Sequence, residues 1–200
     1  NSLQEWDWED VNLLKESQGV RPHLKTDSIQ YNVIQTLVRQ DYDIVYDDDN
    51  AGEIADVITL KLIENEIHVE LYHLKFAHEG KITSQIANFY EVCGQAQKSA
   101  NWKYKEAEEM LNHLLRREIK KSSNGDECSR IYKGTHEKLI ELMKLAKRKL
   151  PVKYSVFIVQ PGVSKDSASD EILSLLGVTE SFLKERTGIE LKVIVNKKSL

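Results

Sequence analysis

Three residue types that can do chemistry together lie on two apolar runs in "GEIADVITLKLIENEIHVELYHLKFA" (52–77): an acid, Asp56, an imidazole, His73, and an ammonium, Lys75. The runs are rich in Ile, Val, Leu and Tyr and read as two strands joined by a tight turn. Side chains alternate faces along a strand, so His73 and Lys75 share one face and Glu70 takes the other. A two-residue turn at Asn65–Glu66 sets Asp56 opposite Lys75, and one at Glu64–Asn65 sets it opposite His73. Both registers put the trio on one face, whereas a three-residue loop reverses the relation. Two readings follow. One is a cross-strand ion pair on a solvated face, worth ~0.2–1 kcal/mol. The other is a divalent-metal site, with carboxylate oxygen for the ion and a lysine to meet phosphate charge or position a hydroxide. An EF-hand reading of "DDDNAGEIAD" (47–56) fails, because its fifth position is Ala51 and its twelfth is Ile58.

Several elements must hold these residues. Asp27 or Ser28 caps a helix whose apolar stripe is Ile29, Val33, Ile34, Leu37 and Val38. "YDIVYDDD" (42–49) reads as a strand and "NAG" as a turn. After the hairpin come helices over about 84–102, 104–121 and 134–149, a strand over 153–160, a loop "PGVSKDSAS" with a cap near Ser169, a helix interrupted near Gly177, and a last strand, "IELKVIVNK". The order α-β-β-β-α-α-α-β-α-β predicts an α/β fold, one mixed central sheet flanked by helices, with the last β-α-β adding parallel strands. Residues 1–27 are expected to be an N-terminal extension and 28–200 a single domain.

Composition narrows the function. The net charge of −4 argues against a protein that lives by non-specific phosphate attraction. Two basic clusters, "RREIKK" (116–121) and "KLAKRKLPVK" (144–153), read first as solvated helix faces. Cys93 and Cys128 lack CxxC spacing, so neither structural zinc nor a disulfide is expected. No signal-peptide pattern opens the chain, and no apolar run nears the ~18 residues of a membrane helix. The expectation is a cytoplasmic protein with no membrane partner. The first residue, Asn1, suggests a segment of a longer protein.

At these residues the chain resembles the PD-(D/E)xK, or restriction-endonuclease-like, nuclease superfamily. That core is a helix, three strands, a helix and a further strand, with an Asp at the second strand and (D/E)-x-K on the third. "GEIADVI" supplies Asp56, and "VELYHLKFA" supplies His73-Leu74-Lys75. "VYDDDNAGEIADVITL", "LYHLKFA", "YEVCGQAQKSANW", "VFIVQPGVSK" and "LLGVTESFL" also resemble the C-terminal domain of bacterial DEAD/DEAH-type helicases of defence or restriction systems.

The resemblance implies a Mg²⁺- or Mn²⁺-dependent DNA endonuclease domain, fused to or working with a helicase, with two chains needed to cut both strands. Asp56 and His73 would be metal ligands, Lys75 the charge-stabilising cation, and Gln95 a further catalytic group. Lys98, Arg116, Arg117 and Lys120 would contact DNA. His73 stands where the family has an acid, and imidazole is a poor Mg²⁺ ligand. The branch therefore uses a softer metal, recruits another acid, or has lost cleavage and serves as a nucleic-acid- or partner-binding domain that assists a helicase. A second carboxylate within ~5 Å of Asp56 would separate these outcomes. Glu53, Glu70, Glu91 and Glu16 are the acids to consider, with Asp47, Asp48 and Asp49 read chiefly as turn residues. Strand alternation puts Glu53 opposite Asp56 unless the backbone is redirected near Gly52. Glu91, Gln95 and Lys98 share a helix face opposite the apolar stripe, which reads by default as solvated.

Overall fold

The computed structural model describes residues 3–198. Its elements are β1 (Leu3–Trp6), α1 (Ile29–Val38), β2 (Ile44–Asp47), β3 (Val57–Ile63), β4 (Glu66–Leu74), α2 (Ala87–Lys98), α3 (Ala100–Lys103), α4 (Ala107–Ser122), β5 (Ile131–Lys133), α5 (His136–Lys147), β6 (Val152–Ser164), α6 (Asp170–Thr187) and β7 (Glu190–Asn196). Ser28 starts α1 by accepting a hydrogen bond from the Tyr31 N–H, and Ser169 starts α6 by accepting one from Ile172.

The strands form one mixed sheet in the order β1-β7-β6-β4-β3-β2-β5. β2, β3 and β4 are an antiparallel meander, while β4, β6, β7 and β1 run parallel. Of the two hairpin registers, the chain adopts the one with Ile63 opposite Glu66, turning at Glu64–Asn65. Glu64 takes a positive φ of 53°, as such a tight hairpin turn requires.

Alternation along the strands splits the core in two. Ile58, Leu60, Val69 and Leu71 pack with α2, α4, α5 and α6, through residues such as Phe89, Met110, Leu139 and Ile172. Val57, Tyr72 and Leu74 pack on the other side with Ile29, Val33, Ile34 and Leu37 of α1 and with Trp8 and Leu13. Helices therefore cover both faces, and the expected α/β class with a mixed, helix-flanked sheet is the observed one.

Several boundaries differ from expectation. Residues 3–27, read as an extension, give the sheet its edge strand β1 and the core Trp8 and Leu13. β5 is a three-residue edge strand beside β2. β6 continues through Pro161 and Gly162 to Ser164, where a loop was expected. The β6–β7 register shifts between Val159 and Ser164, so Pro161 falls in an irregularity where its missing N–H costs no ladder bond. α6 is uninterrupted at Gly177, because Leu176 and Thr179 on either side are buried and outweigh the ~1 kcal/mol helix penalty of glycine. Among the described residues no helix is long and apolar enough to cross a membrane.

Candidate metal centre

β3 begins only at Val57, so residues 48–56 are a loop rather than strand. Asn50 (φ 91°) and Gly52 (φ 89°) turn it back on itself. This overturns the alternation argument against Glu53: its direction is set by the loop, and it comes to the same side as Asp56. One carboxylate oxygen from each of Asp49, Glu53 and Asp56 lies within 4.8 Å of the others.

The three acids are held individually. The Asp56 N–H donates to Tyr72 O (3.0 Å), and its Oδ2 accepts from the Leu74 N–H (2.8 Å), anchoring the buried carboxylate at the end of β4. Glu53 accepts from the Asn50 N–H at 3.0 Å, and Asp49 accepts from the Ser17 hydroxyl. Burial pushes the Asp56 carboxyl well above its ordinary value, the Leu74 N–H pulls against it, and the charges of Glu53, Glu16 and Asp49 push it further up. Glu53 is raised by burial and by Asp49. Mutual repulsion of this kind is what a bound cation relieves. The donors are all hard carboxylate oxygens, which fit Mg²⁺ or Mn²⁺.

The other two acids of "DDD" are structural. Asp47 is buried and accepts from the Gln18 and Gln30 side-chain amides at 2.9 and 3.0 Å. Asp48 is fully buried, accepts from the Ile54 N–H at 2.7 Å and lies 2.6 Å from Arg117 Nε. Arg117 also donates to the carbonyls of Asp48 (2.7 Å) and Ala51 (2.8 Å). It clamps the 48–56 loop from α4, whereas the sequence reading expected it to contact DNA. Arg116 and Lys120 are exposed on the same helix. In the other basic cluster, Lys147 and Lys149 pair with Glu108 and Glu106.

Lys75 follows β4 and is almost fully buried. Its ammonium lies 2.9 Å from Glu91 of α2 and 3.2 Å from Glu16, whose Oε2 also accepts from the Phe76 N–H at 3.0 Å. Burial pulls the Lys75 pKa down, but Glu91 and Glu16 outweigh it and hold the group above its ordinary value. Lys75 is therefore a cation and no proton acceptor. Glu16 links it to the three-acid group, since its charge also acts on Asp56.

His73 is placed differently from expectation. Its Nε2 is 2.6 Å from the Ser99 hydroxyl at the end of α2, and burial alone lowers its pKa to about 4. The neutral ring belongs to the packing of β4 against α2. The acids gathered at Asp56 are Asp49 and Glu53, and His73 is not among them. Glu70 lies on the far face, as alternation required, accepting from the hydroxyls of Tyr42 (2.6 Å), Tyr72 (2.7 Å) and Thr59 (3.2 Å).

The face of α2 that carries Glu91, Gln95 and Lys98 is not simply solvated. Glu91 meets Lys75, while Gln95 and Lys98 line a cavity of about 360 Å³ that Glu53 also borders. Sequence reasoning missed Arg117 as a clamp and Asn101, Trp102 and Lys105 as cavity walls. The one usable signal was "NAG", a turn signal strong enough to end strand alternation before Asp56. Comparisons with family models, curated proteins and solved structures find no match to this chain.

Proposed function

We propose that this chain is a metal-dependent endonuclease domain that hydrolyses DNA phosphodiesters, working within or beside a helicase of a defence system. The observation that carries the reading is the convergence of Asp49, Glu53 and Asp56, whose neighbour Glu16 acts on Asp56 and is paired with the buried Lys75 ammonium. The order of α1, the β2–β4 meander, α2 and the parallel β6 supports it, because this is the core order of the PD-(D/E)xK superfamily that the motif resembles. In this reading the missing acid on the third strand is replaced from the loop before the second.

Asp49, Glu53 and Asp56 would hold Mg²⁺ or Mn²⁺. When bound, the ion would polarise a phosphoryl oxygen and lower the pKa of water. The chain's own groups do the rest. Lys75, fixed as an ammonium by Glu16 and Glu91, meets the negative charge that develops on the phosphate. Asp56, fixed by the Leu74 N–H, gives the site a rigid edge. Arg117 keeps Asp49 and Glu53 in register with Asp56. Arg116 and Lys120 are available for backbone phosphates further out. Cutting both strands would take two copies of the chain.

A second reading, a non-catalytic domain that binds nucleic acid or a partner, is favoured by one observation: Lys75 is already neutralised by two carboxylates. A cleavage assay on linear, supercoiled and single-stranded DNA with Mg²⁺ or Mn²⁺ separates the two. Wild type should cut with a divalent ion, and Asp56→Asn and Lys75→Met should not. No cleavage by wild type, or normal cleavage by both variants, would remove the nuclease reading.

A further inference from the structure

The cavity beside the carboxylates has walls of unlike chemistry. Gln95 and Lys98 come from α2, Asn101 and Trp102 from α3, and Lys105 from the turn that follows; His73, Ile54 and Glu53 complete it. Glu53 belongs both to this cavity and to the metal-binding group, so whatever fills the cavity sits next to the reacting position. Gln95 Oε1 is buried without a hydrogen-bond partner among the described residues, so the side chain that lines the cavity carries an unsatisfied acceptor behind its wall. Lys98 and Lys105 are exposed and, among the described residues, neither pairs with a carboxylate. Lys105 Nζ lies 4.5 Å from the centre of the Trp102 ring, which is itself only partly buried. An aromatic wall and two exposed ammoniums without a carboxylate partner among the described residues are complementary to a flat heterocycle carrying a phosphate.

We propose that this cavity receives one unpaired nucleotide of a single-stranded DNA segment, flanking the scissile phosphate, with its base against Trp102 and its phosphate at Lys98 and Lys105. The inference deepens the nuclease reading and rests on it for the position of the scissile bond. A base inside a duplex is stacked and cannot enter a side cavity without being extruded, whereas an unpaired base can. Stacking on an aromatic ring tolerates any base, so the site selects strand state rather than sequence. The preferred substrate is thus single-stranded or flapped DNA, which a helicase motor would generate.

The test is binding without cleavage. Fluorescence anisotropy in EDTA would compare a labelled ten-residue oligothymidylate with a ten-base-pair duplex. The single strand should bind about tenfold more tightly or better. Trp102→Leu, which keeps an apolar side chain but removes the ring, should weaken it about 5- to 150-fold. Lys98→Gln with Lys105→Gln should reduce the slope of log K against log salt by about 0.7, the share of the one phosphate that both lysines meet. Trp102 leans on the core, whereas both lysines are exposed, so the lysine pair decides the matter if Trp102→Leu fails to fold. Equal binding of duplex, or an unchanged affinity and salt slope in the variants, would overturn the inference. Metal-dependent duplex cleavage with single-strand affinity unmoved by the variants would remove this inference alone. Cavity-dependent strand binding with no cleavage would remove the nuclease reading alone.

Discussion

Replacing Arg117 with alanine should destabilise the folded protein. The guanidinium Nε lies 2.6 Å from Asp48, whose side chain is fully buried, and the arginine side chain is only 14% exposed. It also donates to the carbonyls of Asp48 and Ala51, and more weakly to those of Asp49 and Asn50 at 3.3 Å. Those loop carbonyls can find water in its absence, but the Asp48 carboxylate cannot. Removing one partner of a buried pair costs about 3–5 kcal/mol, most of it the uncompensated charge left behind. Burial already pushes Asp48 up to about 7, against the Ile54 N–H and Arg117, and losing the arginine moves it higher. The sign follows from the protonated form being the favoured one in the folded state. An acid raised on folding destabilises increasingly as pH rises through its unfolded value, and fully above its folded value. The variant's deficit should therefore be smallest near pH 5 and largest near pH 8. Urea unfolding at both pH values measures it, and Asp48→Asn on the same background should recover much of the loss. If Arg117→Ala unfolds like wild type and loses only salt-sensitive DNA affinity, the clamp assignment is wrong and Arg117 is a surface phosphate contact.

Other substitutions separate charge from position. Asp56→Asn should raise the stability of the metal-free protein at pH 7–8 by about 1 kcal/mol, or ~2–4 °C in Tm, because it removes a buried carboxylate crowded by Glu53, Glu16 and Asp49; the same variant should not cleave. The destabilisation from Asp56 fades toward acid, where the wild-type group takes a proton, so the Tm difference should shrink near pH 5. Lys75→Met should lower cleavage about 10²–10³-fold while Mn²⁺ affinity, read by calorimetry, stays within a few-fold of wild type. Ser99→Ala, which removes the partner of His73, should cost about 0.5–1.5 kcal/mol in urea unfolding with metal affinity unchanged.

What the sequence made legible were features governed by short-range periodicity. The caps at Ser28 and Ser169, the meander, and the separation of Glu70 from Lys75 all follow from spacing of two or 3.6 residues. What stayed hidden depended on where an element stops. "EIADV" has the composition of a strand, yet the positive φ values at Asn50 and Gly52 delay β3 until Val57, and that delay brings Glu53 to Asp56. Arg117 is one basic residue in "RREIKK", and only the fold shows that it faces Asp48 while Arg116 points to solvent. β1 and β5 are four and three residues long, too short for alternation to stand out. Glu16 and Trp102 reach the site through contacts distant in sequence, which no local pattern encodes.

The central claim is that Asp49 and Glu53, and not His73, complete a metal centre with Asp56. Titration calorimetry with Mn²⁺ on wild type, Glu53→Gln, Asp56→Asn and His73→Gln tests it directly. Wild type and His73→Gln should bind with similar affinity, and Glu53→Gln and Asp56→Asn should lose tenfold or more. Loss of binding in His73→Gln with Glu53→Gln unaffected, or no Mn²⁺ binding by wild type, would contradict it.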